Sequence, residues 1–382
     1  MSVTRKLYDG DSFLAEFSAT VLACQETENG FAVELDQTCF FPEAGGQASD
    51  RGVLGKATVS DVQIQNGTIF HLTDRPLTVG ETVLGKLDFA RRFDFMQNHS
   101  GEHIVSGAVH RLYGLDNVGF HLSEDNVTLD FNGLLTREQL LTAEREANRA
   151  VTENAAFRTW YPEARELASL DYRSKKELDG DIRLVEIAGY DLCACCAPHV
   201  KTAGQIGLIK LLDTVKLRGG VRIVLKCGWR ALADYNCKYD NCRDIGNLLS
   251  VKQEETAQAV RRLQEQLTEE KQKNAAQKRR LIETMIALGD PEQRMVLENG
   301  LDGKELQLFA DGLFRRKGGI CGVFTAVPNG FGFALCGEEQ PLNAFFNEFR
   351  QHFSVRGGGR NGLIQGTVSA SEESLKSYFH FL

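Results

Sequence analysis

No run of apolar residues in this 382-residue chain approaches the roughly 18 that span a bilayer. The segment Met1 to Gly10 carries no apolar core of a signal peptide, so the expected location is cytoplasmic, with no membrane partner. No internal repeat or low-complexity tract appears. The chain also lacks a basic excess. Its net charge of −8 gives no general affinity for polyanions. Residues 1–249 hold the acidic excess, with 35 Asp and Glu against 27 Lys and Arg, whereas residues 250–285 carry 8 basic against 6 acidic groups. Nucleic-acid contact is therefore expected from local patches, in the second half more than the first.

What remains is an ordinary globular composition, 42% hydrophobic and 25% charged, with length for about two or three domains. Ten cysteines in a cytosolic chain are not a disulfide framework. Cys193, Cys195 and Cys196 cluster beside His199, which points to metal. Cys237 and Cys242 read as free thiols, and Cys24, Cys39, Cys227, Cys321 and Cys336 as small core residues.

The stretch from Met96 to Gly107 organises the rest. His99 and His103 lie four residues apart and share one face of a helix, an arrangement that suits zinc. Alone, the spacing more often marks a polar helix face. The half-site Cys195-Cys-Ala-Pro-His199 strengthens the metal reading. Gly107 lets the next element pack close.

Residues 3–88 read as a small β-barrel, with strands at Phe13–Leu22, Phe31–Leu35, Val59–Gln65 and Thr68–Leu72 and an Asn66-Gly67 hairpin turn. Between them, Asp36–Gly52 is dense in Gly and polar groups and reads as a surface loop. Gly45 and Gly46 would permit close backbone approach there, and Gln47 offers an amide. Residues 86–240 read as mixed α and β. Strands are expected at Asn126–Phe131, Asp181–Ile187, Ile206–Lys216 and Gly220–Cys227, and helices at Thr136–Glu153 and Glu163–Leu170. Pro198 keeps the Cys-rich segment irregular. Residues 245–288 read as a solvated spacer helix or helical hairpin rather than a coiled coil. Beyond them come strands at Ile320–Val327 and Gly332–Cys336 and a Phe-rich helix at Leu342–Phe353. In Ser354–Gly362, Arg356 and Arg360 flank Gly357, Gly358 and Gly359, which form either an anion-binding nest or a flexible loop.

Together these segments resemble the editing half of alanyl-tRNA synthetase and its free-standing relatives, the AlaX trans-editing proteins. Phe41-Pro-Glu-Ala-Gly-Gly-Gln47 with Asp50 and Gly52 is similar to the family's Y-P-x-G-G-G-Q-x-x-D-x-G. Leu87 to His99 with His103 resembles its lead-in helix and H-x3-H, and Cys195 to Val200 resembles C-x3-H-V. Gly220–Ile223 resembles the closing strand, and Gly357–Gln365 the Gly-rich loop of the DHH-associated domain. Ala44, Ser100-Gly-Glu102 and Cys196-Ala-Pro198 depart from the pattern. The last departure bears on substrate preference, not on the ligands.

The resemblance implies an α+β protein of four parts. These are a β-barrel (1–88), a zinc-binding α/β editing domain (89–240), a helical spacer (241–290) and a C-terminal α/β DHH-associated domain (291–382). It implies a zinc-dependent hydrolase of mischarged tRNA(Ala), Ser-tRNA(Ala) first, without charging activity because the aminoacylation domain is missing. His99, His103, Cys195 and His199 would hold the zinc, with His99 and His103 acting through its bound water. Gln47, Thr128, Gly45 and Gly46 would contact substrate, Thr128 because its strand should run beside the His-bearing helix. Arg356, Gly357, Gly358, Gly359 and Arg360 would contact tRNA. Glu102 falls about 100° round the helix from His103, which disfavours a general-base role. A homodimer through the spacer or C-terminal domain is a further expectation. Two other classes stay open: a non-catalytic tRNA- or RNA-binding protein with structural zinc, and a metallohydrolase of another small ester. The chain lacks the Asp-His-His cluster of a two-metal site, which weighs against the second.

Overall fold

A computed structural model describes residues 4–174 and 181–379; Met1 to Val3, where the β reading and the leader reading begin, lie outside them. The chain divides into two compact units, Met1–Cys242 and Arg243–Leu382. Among the described residues no helix is long and apolar enough to cross a membrane.

The first unit opens with β1 (Arg5–Lys6), β2 (Glu16–Thr27), β3 (Gly30–Leu35), β4 (Gln37–Thr38), β5 (Gly52–Leu54), β6 (Ala57–Gln65), β7 (Thr68–Thr73) and β8 (Thr82–Leu87). β1 and β4 form a short parallel pair. The other six close a ring in the order β2-β3-β7-β6-β5-β8, which leaves no strand edge unpaired. Burial alternates along β7 and β8 as a barrel requires, and Val21, Val33, Leu35, Leu54, Val62 and Ile69 fill the interior. Asn66 and Gly67 both take positive φ, 50° and 83°, as a two-residue hairpin turn demands.

Asp36–Gly52 is not a surface loop. Cys39, Phe40, Phe41, Gln47 and Asp50 are all at most 1% exposed. The polar groups that make it read as surface are satisfied inside. Asp50 is paired with the buried Arg92 and accepts from Phe41 N at 2.6 Å, and Arg92 Nη2 donates to Cys39 O at 2.6 Å. Removing one partner of such a buried ion pair costs about 3–5 kcal/mol.

α1 (Phe89–Tyr113) follows, capped by the Asp88 carboxylate and ended by Gly114 at φ 64°. Every residue from Phe95 to Val109 is buried. Around it lie β9 (Asn117–Leu122), β10 (Val127–Phe131), α2 (Arg137–Thr152), β11 (Phe157–Trp160), α3 (Ala164–Leu167), β12 (Leu184–Ile187), β13 (Asp191–Ala194), β14 (Ile209–Leu217) and β15 (Gly220–Cys227). They form a sheet of order β14-β15-β10-β9 and a smaller one of order β11-β12-β13. Met96, Ile104, Val105 and Val109 share one core with Leu129, Ile223 and Leu225. The close approach at Gly107 is to Tyr190 O, not to the element that follows the helix; a Cβ there would lie 2.5 Å from it.

The helical segment starts earlier than expected and is broken. α4 (Gly228–Leu249) and α5 (Thr256–Leu288) are separate helices, with Ser250 at φ 54° in the break. Only Ala259 and Ile282 of α5 are buried. The second unit continues with β16 (Met295–Leu297), α6 (Gly303–Lys317), β17 (Cys321–Val327), β18 (Gly330–Cys336), α7 (Glu339–His352), β19 (Ser354–Arg360), β20 (Leu363–Ser369) and α8 (Glu372–Phe379). Its sheet runs β16-β17-β18-β20-β19. Leu306, Phe309 and Leu313 of α6 cover one face, and Phe345, Phe346 and Phe349 of α7 with Leu375 of α8 the other.

Neither a nest nor a flexible loop forms at 354–362. Gly357, Gly358 and Gly359 lie in the edge strand β19, opposite Gly366, Gln365 and Ile364 of β20. In a strand, successive N–H groups point to opposite sides and cannot converge on one anion. The glycines answer to strand packing instead: a Cβ on Gly357 or Gly359 would meet Gln365 O at 2.3 Å or Leu363 O at 1.8 Å. The turn is Asn361-Gly362, again with both φ positive.

Candidate metal centre

α1 projects His99 and His103 toward the loop that leaves β13, and that loop returns Cys195 and His199. One donor atom from each of the four lies within 4.8 Å of every other. Cys195 Sγ is 3.6 Å from His99 Nε2 and 3.4 Å from His199 Nε2. Tetrahedral zinc, with bonds of about 2.0–2.1 Å to nitrogen and 2.3 Å to sulfur, sets an N···S distance of roughly 3.5 Å. The donor set fits that ion.

Each imidazole is oriented through its other nitrogen. His99 Nδ1 lies 2.7 Å from Gln47 Oε1, His199 Nδ1 lies 3.0 Å from Ser100 Oγ, and His103 Nδ1 lies 3.1 Å from Asp191 Oδ2. Such partners fix the tautomer that turns Nε2 toward a metal. Asp191 is held in turn by Arg173, with two bonds of 2.7 Å. The buried Arg183 donates to Cys195 O at 3.0 Å and Ala197 O at 2.9 Å, fixing the backbone on both sides of Cys196.

The electrostatics favour a cation. Burial raises the Cys195 thiol, but His99, His199 and the bond from His103 outweigh it and hold its pKa well below the usual thiol value. Burial pushes His99 down, partly offset by Cys195, and lowers His199 to about 3. His103 goes the other way. Burial lowers it too, yet Asp191 and the neighbouring cysteines carry it well above the ordinary value. His99 and His199, held neutral beside a thiolate, are in their ligating forms, whereas His103 has to give up its proton when a metal binds.

Other residues singled out in the sequence fall differently. Gln47 is in the site, with Oε1 on His99 and a buried Nε2 that has no protein partner. Gly45 and Gly46, at φ 61° and 82°, form the turn across which Ala44 and Gln47 pair. The close approach they permit is to β9, since a Cβ on Gly46 would lie 2.3 Å from Phe120 O. Thr128 is a correction. β10 packs with α1 through Val127, Leu129 and Phe131, so Thr128, of opposite parity, is on the face turned away from the histidines. Cys196 is exposed and Cys193 buried. His103, Asp191 and Cys193 also converge, but both Asp191 oxygens are engaged by Arg173 and His103.

The angle to His103 is a poor guide to Glu102. It is fully buried. Its Oε1 accepts from Ser106 Oγ and Asn117 Nδ2 at 2.7 Å each, and its Oε2 lies 4.0 Å from His99 Nε2 and 3.9 Å from His103 Nε2. Asp191, Arg173, Arg183 and Ser100 carry no spacing signal, because their partners are 12 to 99 residues away.

Two family profiles match the chain. The threonyl and alanyl tRNA synthetase second additional domain covers residues 182–224, which contain Cys195 and His199. The class II (A) tRNA synthetase profile covers residues 12–91, which contain Gln47. The alanyl-tRNA editing protein AlaX-L of Pyrococcus horikoshii is 26% identical over 98% of this chain and 96% of its own. Aarsd1-A of Xenopus laevis, also an alanyl-tRNA editing protein, is 28% identical over 94% and 92%. An alanine–tRNA ligase of Ignicoccus hospitalis is 33% identical over 73% of this chain but only 32% of its own. Where nearly the whole chain aligns with such a ligase, it covers 42% to 44% of that ligase's length. With the Gln47 turn, the two histidines of α1 and the Cys195–His199 loop meeting in one buried cluster, the chain belongs to the alanyl-tRNA synthetase editing-domain family.

Proposed function

We propose that this protein is a zinc-dependent hydrolase that deacylates mischarged tRNA(Ala) in trans, without charging tRNA, and that Ser-tRNA(Ala) is its first substrate. The observation that carries the reading is the convergence of three oriented imidazoles and a thiolate in a chain that matches free-standing editing proteins nearly end to end. Zinc held by His99, His103, Cys195 and His199 supplies a Lewis acid, able to lower the pKa of water or polarise an ester carbonyl.

The chain's own residues supply selection. Gln47 Oε1 is engaged by His99, so the side chain meets substrate as a donor through Nε2. A buried donor without a partner costs about 1–3 kcal/mol. A serine hydroxyl oxygen satisfies it and an alanine methyl does not, which is how a polar pocket discriminates strongly. Arg356 and Arg360 are exposed on the edge strand, at even spacing and thus on one side of it, and contact tRNA phosphates. Residues 291–382 act as the DHH-associated domain, contributing affinity rather than chemistry.

Four protein donors also satisfy a purely structural zinc, which supports the rival reading of a non-catalytic RNA-binding protein. Deacylation of Ser-tRNA(Ala) against Ala-tRNA(Ala) separates them. The proposal expects serine to be released faster, and Gln47→Ala to narrow the ratio about tenfold when zinc is kept saturating, since the same substitution removes the partner of His99 Nδ1. Release of neither amino acid leaves the structural reading standing.

A further inference from the structure

We infer that Glu102 accepts the proton of the water that attacks the ester, an inference that rests on the hydrolase reading above. The argument begins with what the neighbouring groups are already doing. Nδ1 of His99, His103 and His199 is engaged by Gln47, Asp191 and Ser100, while their second nitrogens converge with Cys195 Sγ. Asp191 has both oxygens on Arg173 and His103. None of these groups is placed to take a proton from the reacting water.

Glu102 is. Asn117 Nδ2 donates both to Glu102 Oε1 at 2.7 Å and to Ser106 Oγ at 2.8 Å. Ser106 Oγ, receiving that bond, gives its own proton to Glu102 Oε1 at 2.7 Å. Oε1 is therefore fixed as an acceptor of two bonds, which sets the rotation of the carboxylate and turns Oε2 toward the His99 and His103 nitrogens. A fully buried carboxylate is costly in an apolar surround and is favoured beside a cation. Its place three residues after His99 puts the two side chains on one face of α1, with Oε2 on the donor side of the centre.

The step balances without another reagent. The water oxygen bonds to the ester carbonyl carbon while one O–H bond breaks and its proton passes to Glu102 Oε2. Collapse of the tetrahedral adduct breaks the bond to the terminal ribose oxygen, which takes the proton back. The products are the amino acid and the ribose hydroxyl, and Glu102 is again a carboxylate.

Glu102→Gln tests this, because the amide keeps the Oε1 acceptor and changes only the atom facing the centre. The expected result is one zinc per chain, an unchanged absorption spectrum of the cobalt-substituted protein, unchanged KM, and kcat lowered about 10²–10⁴-fold. Glu102→Asp, which keeps a carboxylate one methylene back, should recover part of that loss. A kcat within tenfold of wild type in Glu102→Gln overturns the assignment. Loss of metal or a shifted cobalt spectrum also overturns it, making Glu102 a ligand instead. Wild-type protein that leaves every aminoacyl-tRNA intact refutes the hydrolase reading itself, and the proton acceptor with it.

Discussion

Asp191 reaches His103 across 88 residues of sequence, and without it nothing on α1 chooses which nitrogen of that ring faces inward. Asp191→Asn keeps the shape but gives up the carboxylate that both Arg173 and His103 need. Zinc affinity should fall about 10–100-fold, measured by competition with a chromogenic chelator. Unchanged affinity would mean that helix packing alone orients the ring. The four candidate donors are legible in the sequence because each half-site is local: His99 with His103 through one helical turn, Cys195 with His199 through one loop. Gln47 is legible as well, from its glycine turn. Asp191, Arg173 and Ser100 are not, since their roles exist only once distant strands meet. Thr128 fails for a different reason, as a strand alternates faces and sequence alone does not say which of them meets the helix. The position of Glu102 is read less well from its angle to His103 than from its i,i+3 relation to His99.

At the scale of elements, α1 decides the most. A helix buried on all sides from Phe95 to Val109 needs small residues where neighbours cross it, and Gly101 is such a point. A Cβ there would lie 2.3 Å from Cys227 Sγ at the end of β15. Gly101→Ala should therefore destabilise the first unit by about 1–3 kcal/mol through overpacking, read as a lower Tm. Adding Cys227→Ala removes the sulfur and should restore part of the loss, a coupling expected of residues that touch. Equal stability of Gly101→Ala and wild type would show that the crossing can relax. Alternation and the Asn-Gly turn make most of the barrel readable. Asp36–Gly52 misleads because Gly and Asp ordinarily mark surface, and here an internal ion pair holds the segment inside. β19 misleads because a run of glycines ordinarily marks a loop, and here strand pairing takes it up.

For the whole molecule, the acidic balance of the first unit leaves tRNA affinity to local cations, and Arg356 with Arg360 are the proposed pair. Their joint replacement by Ala should raise KM with kcat unchanged. It should also flatten the dependence of log K on log salt by about 1–2, close to one for each phosphate no longer neutralised. An altered kcat would place them nearer the chemistry than an edge strand suggests. The central claim is that a metal at the His99–His103–Cys195–His199 cluster makes this chain an ester hydrolase. The most direct test is the rate of Ser-tRNA(Ala) deacylation after the metal has been stripped by a chelator and zinc added back in steps. The account predicts loss of activity with the metal and full recovery at one zinc per chain. Undiminished deacylation by the metal-free protein would contradict it.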